Sequence, residues 1–169
     1  MEDPLSAPYV IRPFTEADVA LAHRWRRRPH VQKWWGDPAG EPEEEKLSDG
    51  RIAMWIAEDR SGPLGFIQDY RVHGWEDHPF AYLPEGSRGI DLYLGDDAVR
   101  GRGYGARLLR QHAAALLASG VPALGIDPHP ENVRAVRAFE KAGFRQTSGP
   151  TDTRWGRAVL MECGPVLGG

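Results

Sequence analysis

Asp91 stands in the middle of an apolar run, Gly89-Ile90-Asp91-Leu92-Tyr93-Leu94. Burying a lone carboxylate is costly, so it must meet a partner or do a job. A salt bridge to Arg88 or Arg12 is one reading, and proton transfer is the other. Shortly after comes Arg100-Gly101-Arg102-Gly103-Tyr104-Gly105, and then a helical pattern from Ala106 to Ser119. Glycines let backbone N–H groups turn toward a ligand with no Cβ in the way. A helix start adds unpaired N–H donors and a positive dipole end. The loop is therefore an anion cradle, above all for phosphate. It lacks the Gly-Lys-Ser/Thr ending of a P-loop, and its Gly-x-Gly-x-Gly spacing is not a dinucleotide fingerprint.

A second constellation mixes aromatics with acids. Between His73 and Ser87, Trp75, Phe80 and Tyr82 lie among Glu76, Asp77 and Glu85, a combination suited to a cationic, ring-containing ligand. The segment from Asp37 to Gly50 is rich in Pro, Gly and acid, which suits a solvated loop or short exposed helix, or a negative lid. Of the adjacent Trp34 and Trp35, one is expected in the core and the other against a pocket. Arg24 to Arg28 reads as the solvated last turn of a helix, or as a phosphate or nucleic-acid patch. The formal net charge of −3 argues against a nucleic-acid partner. The 6 histidines are scattered without metal-ligand spacing, so no metal is expected. The single cysteine, Cys163, fits a reducing, cytoplasmic setting and has no recognisable histidine to make it a nucleophile. No apolar run approaches the ~20 residues of a membrane helix, so no membrane partner is expected.

The elements that must position these groups alternate between the two periodicities. Tyr9 to Phe14 is the first expected strand. Thr15-Glu16-Ala17-Asp18 is a near capping box for a helix over 16–27, with Val19, Ala22 and Trp25 or Arg26 on its apolar stripe. Pro29 opens a second helix ending at Trp35. Strands follow at 51–58, with Ile52, Met54 and Ile56 on one face, and at 64–72, with Gln68 and Asp69 on opposite faces. The turn between them lies at Asp59 to Pro63. A central strand spans Arg88 to Leu94. In the next helix Leu108 or Leu109, His112 or Ala113, and Leu116 face the core, with His112 a packing residue. A strand from Val121 to Asp127 precedes a helix from Pro130 to Ala142, capped by Gly143 with Phe144 folded back.

Arg100-x-x-Gly103-x-Gly105 resembles the pyrophosphate loop of the GCN5-related N-acetyltransferases, which use acetyl-coenzyme A. Asn132-x-x-Ala135-x-x-x-Phe139-Glu140-Lys141-Ala142-Gly143-Phe144 looks like their acetyl-CoA-binding helix. A narrower resemblance covers most of the chain. Val31-Gln32-Lys33-Trp34-Trp35-Gly36, Gly89-Ile90-Asp91 and Asp127-Pro128-x-Pro130-x-Asn132-x-Arg134-Ala135 are similar to segments of the aminoglycoside 6′-N-acetyltransferases. The resemblance implies one α/β domain over 1–169. Its mixed, mostly antiparallel sheet would have 6–7 strands and a splayed central pair, flanked by about 4 helices.

It also implies roles. Asp91 would be the general base or amine-positioning group, and Asp127 a contact to the cationic drug. Trp35, Gln68 and Trp75 would line the drug pocket. The amides of Tyr93, Leu94, Val99, Arg100, Gly101, Arg102, Gly103, Tyr104 and Gly105 would hold pantetheine and pyrophosphate, with Asn132 and Phe139 beside them. A strand N–H would stabilise charge on the thioester oxygen. The partner would be a small cationic aminoglycoside, the protein a monomer or homodimer. Phe139 and Leu160 stand where many relatives carry tyrosines, so no hydroxyl is offered there to the leaving thiolate. Thr151 to Arg157 also departs from the family, with Arg154 and Trp155 where an acid is usual. A hydroxylysine or siderophore N-acyltransferase, and a non-catalytic acetyl-CoA-binding module, are the alternatives. The first would favour a histidine where this chain has Asp91.

Overall fold

Residues 9–96 and 103–164 are described by the structure, a computed structural model. Its strands, in chain order, are β1 (Val10–Pro13), β2 (Ile52–Asp59), β3 (Gly62–Arg71), β4 (Arg88–Leu94), β5 (Leu124–Ile126), β6 (Arg145–Gln146), β7 (Thr151–Thr153), β8 (Gly156–Ala158) and β9 (Met161–Cys163). Seven of them form one sheet in the order β1-β2-β3-β4-β5-β9-β6, while β7 and β8 form a separate hairpin. Every pairing in the sheet is antiparallel except β4 with β5, which run parallel. The helices are α1 (Val19–Arg26), α2 (Pro29–Trp35), α3 (Glu43–Lys46), α4 (Tyr104–Ala118) and α5 (Val133–Lys141). The α3 turn makes one helix more than expected, and β5 is shorter than the expected strand.

Strand alternation sorts the side chains between two layers. Met54, Ile56, Phe66 and Tyr93 pack with Phe14, Ala22, Trp25 and Val31 beneath α1 and α2. Ala57, Ile67 and Ile90 face the other way, onto Leu108, Leu109 and Ala113 of α4 and Phe139 of α5. Leu116 is only half-buried, and His112 is a core residue, as its packing role requires. Gln68 and Asp91 share the first face, directly opposite each other across β3 and β4, whereas Asp69 turns to the second.

Asp69 is buried yet fully partnered. His112 Nε2 lies 2.9 Å from Oδ2, Trp55 Nε1 donates to the same oxygen at 2.7 Å, and Arg88 Nε donates to Oδ1 at 2.5 Å. Arg88 is thus taken by Asp69, while Arg12 pairs with Asp18 and Glu58. Neither salt bridge considered for Asp91 forms. α5 ends as its sequence requires: Phe144 N–H reaches Phe139 O and Gly143 N–H reaches Glu140 O, both at 3.0 Å, with Gly143 at φ 105°.

The basic run is not all solvated. Arg26 is buried and its guanidinium gathers the next segment. It donates to Gly40 O at 2.7 Å, Asp37 O at 3.1 Å, Glu41 O at 3.2 Å and Glu43 Oε1 at 3.1 Å. This latch folds residues 37–46 back onto α1, so Glu43 and Lys46 are buried rather than exposed. The reason is tertiary, because three backbone carbonyls and a carboxylate satisfy a charge that composition alone would leave in water.

Candidate active site

β4 and β5 pair only at Arg88 with Leu124 and at Gly89 with Gly125, and beyond that point they separate. The Tyr70 ring lies against Gly89 so closely that a Cβ there would fall 2.2 Å from it. Glycine is needed at the root of the splay. The gap opens into a cleft of about 1010 Å³ that runs from α2 and α3, past β4, to α4 and α5.

Asp91 and Asp127 sit half-buried at the cleft floor. Burial raises the Asp91 carboxyl above its usual range, although the Gln68 hydrogen bond and the Lys46 charge pull it back. Burial, and then the Asp91 charge, push Asp127 up to about 8. Two carboxyls that feel each other this strongly share their protons as a pair. Gln68 Nε2 donates to Asp91 Oδ2 at 2.9 Å, and Lys46 Nζ donates to Gln68 Oε1 at 3.1 Å.

Around the floor stands an aromatic wall. Trp35 packs edge-on against Tyr93 at 4.9 Å and Phe66 at 5.7 Å. Trp34 leans on His129 at 5.5 Å, so both tryptophans line the cleft rather than one alone. Trp75 meets Trp155 edge-on at 6.3 Å and carries the Arg51 guanidinium over its ring at 4.1 Å. The β7–β8 hairpin thereby closes one side, which the departure at Arg154 and Trp155 left unplaced. His78, also in this wall, is pushed down to about 4 by burial and by nearby His73 and Arg154. It is neutral at physiological pH.

The other half of the cleft is built for a phosphate-bearing chain. Arg88 N–H points to Ala123 O on the β5 side, and Gly95 N–H points to Leu64 O on the β3 side. Strand alternation then turns the Leu92 and Leu94 amides into the gap and the Tyr93 amide away from it. Of the two strand amides expected to hold pantetheine, that of Leu94 faces the gap and that of Tyr93 faces β3, because the direction of a strand amide depends on which neighbour it pairs with. The Tyr93 ring nevertheless lines the wall.

α4 begins after Gly103 at φ 81°, and a Cβ on Gly105 would meet no protein atom within 4 Å. An open helix start beside free space fits a diphosphate. Val99, Arg100, Gly101 and Arg102 lie outside the described residues. Asn132 lines the cleft while its Oδ1 caps α5 through Ala135 N–H at 3.3 Å. Phe139 lines it without a hydroxyl, and Leu160 is buried with Tyr70, Val72 and Phe80. Sequence reasoning missed Leu92, Lys46 and the cationic Arg134, Arg137 and Lys141 along the cleft side of α5. The period of α5 carried a signal for the last three.

Among the described residues, His23, Glu43 and Glu44 bring ligand-type atoms within 4.8 Å of one another, outside the cleft. Cys163 is half-buried on β9 and its thiol is raised by burial, unlike a nucleophile's.

The sequence matches the acetyltransferase (GNAT) domain family over residues 15–149. The chain belongs to the GNAT acetyltransferase family. Over 166 residues it is 32% identical to an aminoglycoside N(6′)-acetyltransferase type 1 from Klebsiella pneumoniae, covering 89% of this chain and 80% of that one. Among solved structures, an aminoglycoside acetyltransferase in complex with coenzyme A and kanamycin superposes with a TM-score of 0.83 at 32% identity, over 94% of this chain and 95% of that one. The complex of such an enzyme with paromomycin and acetyl-CoA gives 0.83 at 31% identity, over 94% of both chains. The seven-stranded, mostly antiparallel sheet with its five helices is thus a GNAT acetyltransferase fold.

Proposed function

We propose that the chain is an aminoglycoside 6′-N-acetyltransferase, acting as a single catalytic domain over 1–169. The observation that carries this reading is the Asp91–Asp127 pair on the floor of an aromatic cleft, beside the gap between β4 and β5. Acetyl-CoA supplies an activated acetyl thioester. Leu92 and Leu94 amides, the Gly103–Gly105 turn and the cationic side of α5 bind it along the gap. One of the strand amides faces the thioester oxygen and stabilises the negative charge that develops there.

Asp91 and the acidic rim at Glu41 and Glu45 draw in a polycation, Asp127 hydrogen-bonds to it, and Trp35 and Trp75 pack on its sugar rings. An ammonium cannot attack, so Asp91 accepts its proton, held in place by Gln68. A raised carboxyl is the better base for this work. Holding amine and thioester together contributes several kcal/mol of barrier reduction. A thiol near ~8.5 leaves as thiolate without a strong acid, so Phe139 in place of a tyrosine is tolerated.

Free-thiol release from acetyl-CoA with kanamycin tests the reading, in wild type and Asp91→Asn. Fast release that falls about 10²–10⁴-fold in the variant supports it. Release that survives keeps the enzyme and transfers the base role to Asp127 or water. No release, with acetyl-CoA still raising the melting temperature, overturns the drug reading in favour of a hydroxylysine-type amine or a binding module.

A further inference from the structure

The chain has three lysines, Lys33, Lys46 and Lys141. Lys33 is exposed outside the cleft and Lys141 is exposed at its α5 side, whereas Lys46 is buried and turned into the cleft. Its Nζ donates to Gln68 Oε1 at 3.1 Å and lies 5.9 Å from the centre of the Trp35 ring. Gln68 in turn donates to Asp91 at 2.9 Å. A primary amine of the chain itself is therefore held one residue away from the proposed base, against the tryptophan assigned to the acceptor. The Arg26 latch fixes α3, so this position is built into the fold rather than reached by a swinging surface chain.

We infer that Lys46 is an internal acetyl acceptor, modified by the enzyme's own active site when acetyl-CoA is bound and no drug fills the cleft. The inference rests on the acetyltransferase reading above. The Lys46 ammonium gives a proton to Asp91, and its Nζ forms a bond to the acetyl carbonyl carbon. Asp91 passes that first proton on to solvent, the carbon–sulfur bond breaks, and the second amine proton moves to the departing sulfur, which leaves as free coenzyme A. The products are an amide at Lys46 and the thiol.

Burial lowers the Lys46 pKa, though the Glu43, Glu41 and Asp91 charges oppose the shift, so the neutral amine is easier to reach than on the surface. Conversion to an amide removes the positive charge facing Gln68 and Asp91 and fills part of the acceptor space. Drug and Lys46 thus compete for one acetyl group.

The test incubates the full chain with acetyl-CoA alone and follows each lysine by peptide mass mapping, with a parallel assay for acetylated kanamycin. Lys46 is expected to react about tenfold or more faster than Lys33, which lies outside the cleft, as an oriented amine does over one meeting acetyl-CoA in solution. Saturating kanamycin slows Lys46 but not Lys33, and so does Asp91→Asn. Lys46 reacting no faster than Lys33 overturns the inference, as does a Lys46 rate that neither kanamycin nor Asp91→Asn changes. Acetylated kanamycin with unmodified Lys46 removes the inference and leaves the proposed function. Fast, Asp91-dependent Lys46 modification without acetylated kanamycin supports the inference and removes the drug reading.

Discussion

Gln68 joins Lys46 to Asp91, accepting from Nζ at 3.1 Å through one end of its amide and donating to Oδ2 at 2.9 Å through the other. Only an amide side chain of this length both accepts and donates there. Gln68→Ala leaves Asp91 without its donor at a cost of about 1–3 kcal/mol, so kcat/KM is expected to fall about 5–150-fold. Gln68→Glu sets a second carboxylate against Asp91 and is expected to shift the acid limb of the rate profile to higher pH. Steady-state kinetics across pH checks both, and an unmoved profile in Gln68→Glu would separate Gln68 from Asp91.

Asp127 is raised to about 8, first by burial and then by the Asp91 charge. The folded chain holds a proton that the unfolded chain has lost above ~3.9, so this group costs stability as pH climbs from that value toward 8. Asp127→Asn carries no such cost. It is expected to raise stability by about 1–3 kcal/mol at pH 8, a few degrees in Tm, with the gain fading toward pH 4. Melting curves of both proteins from pH 4 to 8 check this, and a difference independent of pH would mean that Asp127 is not raised.

The Asp69 carboxylate bolts α4 to the sheet through His112, with Trp55 and Arg88 completing its partners. Burial alone would raise its pKa, but His112, Arg88 and Trp55 together hold it below the usual carboxylate range. Stability from this group is present above the unfolded carboxyl pKa and is lost as pH falls through the lower folded value. Asp69→Asn leaves Arg88 and His112 facing a neutral amide, at an expected cost of about 3–5 kcal/mol. Urea denaturation with the midpoint lowered at constant m-value is the readout. A midpoint within error of wild type would show that the network is dispensable.

Much of this site was legible because it obeys periodicities. Two-residue alternation put Gln68 and Asp69 on opposite faces, and the apolar run around Asp91 marked the central strand. The glycine loop and the Asn132-to-Phe144 helix together pointed to acetyl-CoA. What escaped depends on distant partners. Lys46 reads as the end of an acidic surface turn until Arg26, 20 residues earlier, is seen to collect the carbonyls of that turn. That the Leu92 amide faces the gap and the Tyr93 amide faces β3 has the same origin, because amide direction follows from β3 and β5 and not from β4 itself. Trp155 reached the cleft wall through a two-strand hairpin whose placement no local pattern announces.

Gly105 separates cofactor binding from folding. It lies in the first turn of α4, and a Cβ added there meets no protein atom within 4 Å. The fold itself therefore has no steric need for glycine at this position. Gly105→Ala removes backbone freedom from the unfolded chain and is expected to stabilise the ligand-free protein by about 0.5–1 kcal/mol. The added methyl occupies space in which a diphosphate would approach the free amides, so the KM for acetyl-CoA is expected to rise about tenfold while that for kanamycin changes little. Thermal melting without ligand and the two KM values check the prediction. A stabilised variant that binds acetyl-CoA as well as wild type would place the phosphates away from Gly105, along the cationic side of α5.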